Sequence, residues 1–385
     1  MHDFIFKEIL NANMEKELKD IGFDNSYVHK ASEKFYYKNI KIFNLSVAQA
    51  NILKQTAISV GADCATHRET ITGKIELSDC ILGGSISQLR KIALKLSAQP
   101  FGLKKLGEDI IDYINRAEKT LTKIVGVLNL TKNSFSDGGE FYEFDNAVKH
   151  LEEMIEEGAD IIDIGAESTK PYSQAVNDEQ QLAVLIPIMD YINKNNIKTP
   201  ISIDTRSARV AEECLKRGAS IINDVSGFDY DEMMSEVIAK YGAKVILQHS
   251  KGTPENMQQN PVYGNLMDEI YLSLKNKIEF AVLKGIKKEN IIIDPGIGFG
   301  KTREDNFEII KRVEELKSTG CPVMLGLSRK SLLNMPEKDN FTKDIFTVAL
   351  NTTAVYKHVD FLRVHNVKLN KMLLELLIDK GGFND

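Results

Sequence analysis

The stretch 200-PISIDTRSARVAEECLKRGASIINDVSG-227 decides the fold. Its opening, PISIDT, is a short β-branched apolar run of the kind that forms a buried strand. SARVAEECLKRG follows with an amphipathic helical pattern and ends on Gly218, which suits a helix C-cap. SIINDVS then returns to a strand. Working outward, the same alternation fills the chain from Lys123 onward. Strands are predicted at 123–130 (KIVGVLNL), 159–166 (ADIIDIGA), 200–205, 220–226, 244–250 (KVILQHS), 290–296 (NIIIDPG), 322–328 (PVMLGLS) and 361–365 (FLRVH). Helical patterns such as 145–158 and 178–195 lie between them, and Gly158, Gly242 and Gly285 repeat the closing glycine. Eight strands alternating with helices close most simply into a (β/α)8 TIM barrel. A doubly wound open sheet is the alternative, disfavoured because strict alternation leaves no reversal point. The expected fold class is α/β: a small N-terminal α/β domain at 1–115 and the barrel at 116–385.

Composition limits what such a protein does. The chain has 385 residues, is 43% hydrophobic and carries a net charge of -6. That acidic balance argues against a nucleic-acid partner, which calls for a concentrated basic face. No uncharged apolar run approaches ~18 residues, so no membrane span is expected, and the N-terminus has no signal-peptide pattern. A cytoplasmic location follows as an expectation. Cys64, Cys80, Cys214 and Cys321 are far apart in sequence and are expected to be reduced, buried thiols.

Each predicted barrel strand ends in groups able to bind or react: Asn129; Glu167, Ser168 and Thr169; Asp204; Asn223 and Asp224; His249; Asp294; Ser328, Arg329 and Lys330; Arg363 and His365. Any one Asp after a strand is commonly an N-cap. Polar groups gathered at one end of nearly every strand instead describe a site at the C-terminal face of a barrel. The 294–302 segment, DPGIGFGKT, meets the phosphate-loop spacing only in part, and its glycines are read as a close backbone approach to a flat ligand. Arg329, Lys330, Arg363 and His365 form a cationic arc suited to a phosphate or pyrophosphate. His249 is read either as part of the site floor or as a core hydrogen-bonding group.

In order, GVLNLTKNSFSDGG (126–139), DIGAEST-KP (163–171), ISIDT (201–205), IINDVSG (221–227), DPGIGFGK (294–301), GLSRKS (326–331) and RVHNV (363–367) resemble the dihydropteroate synthases over about 123–380. The resemblance implies displacement of pyrophosphate from 6-hydroxymethyl-7,8-dihydropterin diphosphate by 4-aminobenzoate, and sensitivity to sulfonamides. It implies a pterin slot of Asp204, Asn223, Asp294 and Lys330. Phe135, Thr169, Pro171 and Ser328 would form the 4-aminobenzoate pocket, and Asn129, Lys170, Arg363 and His365 would hold the diphosphate. Asp137, Lys330, Arg363 and His365 are implied in catalysis. It also implies Mg2+ at Asn129, and a homodimer. A pterin-dependent methyltransferase domain and a non-catalytic pterin-binding paralogue are the alternatives. Four positions depart from the family pattern: Lys132 and Asn133 replace Pro-Asp, Lys170 replaces Arg, and Tyr172 replaces Gly. The Lys170 change keeps the charge but loses the bidentate fork.

The first 115 residues lie outside the resemblance. They carry helical patterns at 46–61 and 86–99 and strand-like runs at 64–71 and 79–85, while 106–122 reads as a helix joining the two domains. His67 and Arg68 are read as a satisfied strand-end pair rather than a ligand site.

Overall fold

The computed structural model describes residues 7, 9, 13–116, 121–130, 140–167, 176–252, 261–330 and 338–379. The chain divides into two compact units between Ala117 and Glu118.

The first unit contains α1 (Met14–Asp20), α2 (Val28–Ser32), β1 (Tyr37–Ser46), α3 (Val47–Ile58), β2 (Asp63–Thr66), β3 (Leu77–Ser85), α4 (Ile86–Leu96) and α5 (Leu103–Asn115). Its antiparallel sheet has the order β1-β3-β2. Helices α3 and α4 each begin in a capping box, Ser46 with Gln49 and Ser85 with Gln88, which satisfies backbone donors at each start. Leu53, Leu82, Leu89, Ile92 and Leu96 fill the core. Three expectations change here. Strand β1 was not anticipated, because of its apolar residues only Leu45 is buried and lysines interrupt them. The 64–71 run is a strand only to Thr66; a 3-10 turn follows, capped by the His67 ring accepting from the Glu69 N–H at 3.2 Å. The supposed joining helix is α5, whose Leu103 and Ile110 belong to this unit's own core.

The second unit is the barrel. Its strands are β4 (Lys123–Asn129), β5 (Ile161–Gly165), β6 (Ile201–Asp204), β7 (Ile221–Asp224), β8 (Lys244–Gln248), β9 (Ile291–Asp294), β10 (Met324–Leu325) and β11 (Phe361–Val364). Its helices are α6 (Glu140–Glu156), α7 (Asp178–Lys194), α8 (Ala208–Lys216), α9 (Met234–Tyr241), α10 (Leu266–Leu283), α11 (Arg303–Arg312), α12 (Asn340–Tyr356) and α13 (Val367–Leu374). All eight strands are parallel, in the order β10-β11-β4-β5-β6-β7-β8-β9, and a parallel bridge between Ile293 and Val323 closes the ring. The strands are shorter than expected, β10 most of all: Pro322 lacks the N–H for a ladder, and the chain leaves the sheet after Leu325. Gly158, Gly218, Gly242 and Gly285 all take positive φ where helices end, as the closing glycines imply.

The two-residue period of each strand sorts side chains into two environments. Outward residues such as Ile124, Ile162, Ile203, Ile222, Val245 and Leu362 pack under the helices. Inward residues Val125, Ile161, Ile221, Ile246, Ile292 and Met324 form a separate apolar plug inside the barrel. One layer further along, the inward positions become polar: Asp163, Ser202, Asn223 and Asp294 are all buried. The apolar plug therefore closes one end of the lumen and leaves a polar chamber at the C-terminal end.

Candidate active site

Hydrogen bonds that cross the lumen define the chamber. Arg363 on β11 donates from Nε to Asp163 on β5 at 2.6 Å and from Nη2 to Asp204 on β6 at 2.7 Å. Asn223 on β7 donates to the same Asp163 oxygen at 3.0 Å. None of these pairs joins neighbouring strands, so the side chains span the interior. Burial pushes the Asp204 carboxyl up to about 7 against the pull of Arg363, with Asp163 adding to the rise. Burial also acts against the Arg363 charge, but Asp163 and Asp204 outweigh it and hold the guanidinium above its ordinary value.

Asp294 and Lys330 form the other half. Asp294, at the end of β9, accepts from the Gly296 N–H at 2.7 Å. Burial raises its carboxyl, while Lys330 and that N–H pull it back. Lys330 donates to the Ile297 carbonyl and lies 4.6 Å from the Phe299 ring centroid. Burial lowers its ammonium to about 8, with Asp294 resisting. Both members are drawn toward their neutral forms because a dry chamber disfavours charge. The buried acceptors Asp163 Oδ1 and Asn223 Oδ1 have no hydrogen-bond partner among the described residues. A buried chamber with carboxylate and amide acceptors and an ammonium is suited to a flat heterocycle with an amino-pyrimidinone edge.

The remaining predicted residues lie around this chamber. Asn129 ends β4 and is exposed at the mouth. Ser328 is buried; its Oγ accepts from the His365 backbone N–H at 3.2 Å and lies 2.9 Å from His365 Nδ1, so the two act as one unit. Asp137, Phe135, Thr169, Lys170 and Pro171 lie outside the described residues, as do Lys132, Asn133, Tyr172, Ser168, Gly138 and Gly139. A recess of about 560 Å3 opens on the rim rather than in the chamber, over Glu167, Arg206 and Tyr230. There Arg206 bonds Glu167 at 2.8 Å and lies 4.2 Å from the Tyr230 ring centroid.

Several readings are corrected. Arg329 is not part of a cationic arc: its guanidinium makes a two-pronged bond to buried Asp344, both contacts at 2.8 Å, and its backbone sits at φ 57°. Replacing Arg329 with alanine is expected to cost about 2–3 kcal/mol, because buried Asp344 loses its counter-charge. The variant's affinity for a pterin diphosphate should stay within about twofold of the parent; calorimetry of melting and of binding would check both. Asp224 accepts from Ser226 and Phe228 N–H groups and holds a turn. Two of the 294–302 glycines approach protein backbone: a Cβ on Gly296 would stand 2.0 Å from the His249 carbonyl, and one on Gly300 2.2 Å from the Lys251 carbonyl. His249 is a core group, its ring 3.0 Å from Lys301 Nζ and lowered by burial and Lys301 to about 2. Asp163 was missed; the signal was a carboxylate on the inward face of an otherwise apolar run.

An Asn oxygen at the mouth suits a hard cation held largely by phosphate oxygens, since Mg2+ keeps few protein ligands at such sites. Among the described residues no group of three His, Cys, Asp or Glu converges on one point. Among them, too, no helix is long and apolar enough to cross a membrane, and all four cysteines are buried and in no disulfide.

Comparison with known proteins bears on the same strand ends. The family described as pterin binding enzyme matches residues 125–365. The dihydropteroate synthase of Clostridium beijerinckii is 45% identical over 254 residues, covering 65% of this chain and 90% of that one. A bifunctional dihydropteroate synthase/dihydropteroate reductase of Helicobacter pylori is 33% identical over 366 residues, covering 94% and 95%. Among solved structures, the Anaplasma phagocytophilum dihydropteroate synthase with bound 6-hydroxymethylpterin-monophosphate is 40% identical and covers 67% of this chain and 98% of that one, with a TM-score of 0.62. The Clostridium difficile dihydropteroate synthase with pteroic acid is 39% identical, covering 67% and 97%, also with a TM-score of 0.62.

Proposed function

The chain belongs to the dihydropteroate synthase family of pterin-binding enzymes, and on that premise we propose that it condenses 6-hydroxymethyl-7,8-dihydropterin diphosphate with 4-aminobenzoate. The products are 7,8-dihydropteroate and pyrophosphate, and the reaction is a step of folate biosynthesis. The observation that carries this reading is the dry chamber in which Asp204, Asn223, Asp294, Lys330 and Arg363 converge from five parts of the barrel. The methyltransferase and non-catalytic readings are less favoured, because the chain is 45% identical to the Clostridium beijerinckii dihydropteroate synthase over 90% of that protein.

In this reading Asp294 accepts from the pterin's 2-amino and N3 groups, and Asn223 and Asp204 complete the ring contacts. Lys330 donates to the pterin while lying along its face. Arg363 and His365 hold the diphosphate, with Asn129 and Lys170, as negative charge gathers on the leaving group. The new C–N bond forms at the pterin methylene as its C–O bond to pyrophosphate breaks, and the amine then loses a proton. Asp137, Lys330, Arg363 and His365 carry this chemistry; Phe135, Thr169, Pro171 and Ser328 would hold the aminobenzoate. Mg2+ at Asn129 would neutralise part of the diphosphate charge. An arylamine is nucleophilic at neutral pH, so the protein's task is orientation and the exclusion of water. A homodimer is part of the proposal, supported by Phe341, Ile345 and Phe346, which α12 exposes. A cytoplasmic location is supported by the reduced thiols.

Product formation tests the reading directly: the purified protein, given both substrates and Mg2+, should make dihydropteroate, and a sulfonamide should compete with 4-aminobenzoate. A pH profile tests Lys330. Its ammonium is lowered to about 8, so the donor is present below that pH and is lost as pH rises through it. The kcat/KM for the pterin substrate is therefore expected to fall about tenfold per unit above pH ~8, and this alkaline limb should move upward in Lys330→Arg. A limb unchanged in that variant would assign it to another group.

A second reading is favoured by one observation. The Helicobacter pylori relative named as both synthase and reductase is matched over 95% of its length, the N-terminal unit of this chain largely included. In this reading the chain also reduces its product to the tetrahydro form, taking hydride from a reduced flavin or nicotinamide and a proton from water. Incubating dihydropteroate with the protein and each reductant, and looking for tetrahydropteroate, decides it without touching the synthase reading.

A further inference from the structure

Beneath the chamber, the turn after β9 is folded onto the segment after β8. Gly296 and Gly300 both take positive φ, at 70° and 65°, and their backbones lie against the His249 and Lys251 carbonyls with no room for a side chain. Two carbonyl-bearing loops at that spacing need a donor to hold them. Lys301 supplies it. Its buried ammonium donates to the Phe299 carbonyl at 3.0 Å, to the His249 carbonyl at 3.3 Å and to His249 Nδ1 at 3.0 Å. An ammonium has three protons, and these are three acceptors, two on the β8 loop and one on its own turn. Tyr263 adds a bond from its hydroxyl to the Gly300 carbonyl at 2.7 Å, on the same turn. The His249 N–H in turn donates to the Asp294 carbonyl at 2.9 Å, and Asp294 receives the Gly296 N–H on its carboxylate. The fastening therefore runs from Lys301 through both loops to Asp294.

We propose that Lys301 is a positioning residue for the pterin slot: it clamps the 295–301 turn to His249 and so fixes the Asp294 carboxylate that receives the pterin edge. It touches no substrate. Its burial is not explained by a surface role, and the mechanism gives it no proton to move. The proposal rests on the pterin reading of the chamber.

The test separates a positioning role from a merely structural one by asking which substrate suffers. Lys301→Met keeps length and apolar volume but cannot donate. It is expected to weaken binding of the dihydropterin diphosphate about tenfold, measured by calorimetry with Mg2+, and to raise that substrate's KM in step. The KM for 4-aminobenzoate should stay within about twofold. His249→Leu, which deletes one of the three acceptors, should give a smaller effect of the same pattern, about threefold, and it serves as the readout if Lys301→Met does not fold. Unchanged pterin affinity in the folded variant, or equal rises in both KM values, would overturn the proposal while leaving the synthase reading intact. A wild-type protein that binds no pterin would overturn that reading and the proposal with it.

Discussion

Asp294→Ala is expected to lower kcat/KM for the pterin substrate by about 10^3- to 10^4-fold while leaving the protein folded. The carboxylate is the acceptor for a substrate edge that has no water to fall back on inside a buried chamber. Losing such an acceptor leaves buried donors unpaired, and that mismatch is far more costly than losing an apolar contact. Lys330 also loses the nearby charge that holds its ammonium up, so its pKa should fall further. Among the described residues Asp294 is in no direct ion pair, so the stability loss should stay at about 1–3 kcal/mol, the cost of leaving the Gly296 N–H without its acceptor. Steady-state pyrophosphate release and a pterin binding titration measure the effect. A drop of less than tenfold would mean that the pterin edge is received elsewhere.

Arg363→Met is expected to damage the barrel as well as the reaction. The guanidinium neutralises Asp163, which is wholly buried, and Asp204, and the variant leaves both carboxylates without a cation in hydrogen-bond contact. Breaking a buried pair from one side costs about 3–5 kcal/mol, or roughly 10 °C of Tm for a barrel of this size. The deficit should depend on pH. Asp204 titrates above its ordinary value, so the folded state holds that proton more tightly than the unfolded chain does. Its contribution to stability is fully present below the unfolded pKa, 3.8, and is lost as pH rises through about 7. Arg363 opposes that rise, so without it the Asp204 pKa climbs further and the variant should be closer to the parent at pH ~6 than at pH ~8. Thermal melts at both values check this; a small, pH-independent loss would show that the carboxylates do not rely on Arg363.

These two residues also show what local pattern can and cannot convey. Asp294 was legible as one of a set, because nearly every predicted strand ends in a polar group and a single strand-end Asp alone reads equally as an N-cap. The barrel itself was legible for a similar reason: β-branched runs, amphipathic segments and closing glycines repeat along the chain. What a side chain bonds to across the lumen is not a local property. Arg363 was read as facing a phosphate, and nothing in that local pattern conveyed that its guanidinium also bonds two carboxylates across the lumen, Asp163 and Asp204. Arg329 stands beside Lys330 in sequence yet turns to Asp344 on α12, because its backbone takes a left-handed conformation. Lys301 closes a glycine-rich run that was read as a close approach to a flat ligand, and its partner His249 lies on a loop 52 residues away. In the first unit, β1 escaped notice because a half-buried strand with lysines on it carries a weak periodic signal.

Pyrophosphate release by the wild-type protein tests the central claim most directly. With Mg2+, dihydropterin diphosphate and 4-aminobenzoate, release is expected to match dihydropteroate formation one for one and to fall to background when either substrate is left out. Pterin binding without any release when both substrates are present would contradict the account and leave the chain a pterin-binding protein that does not turn over.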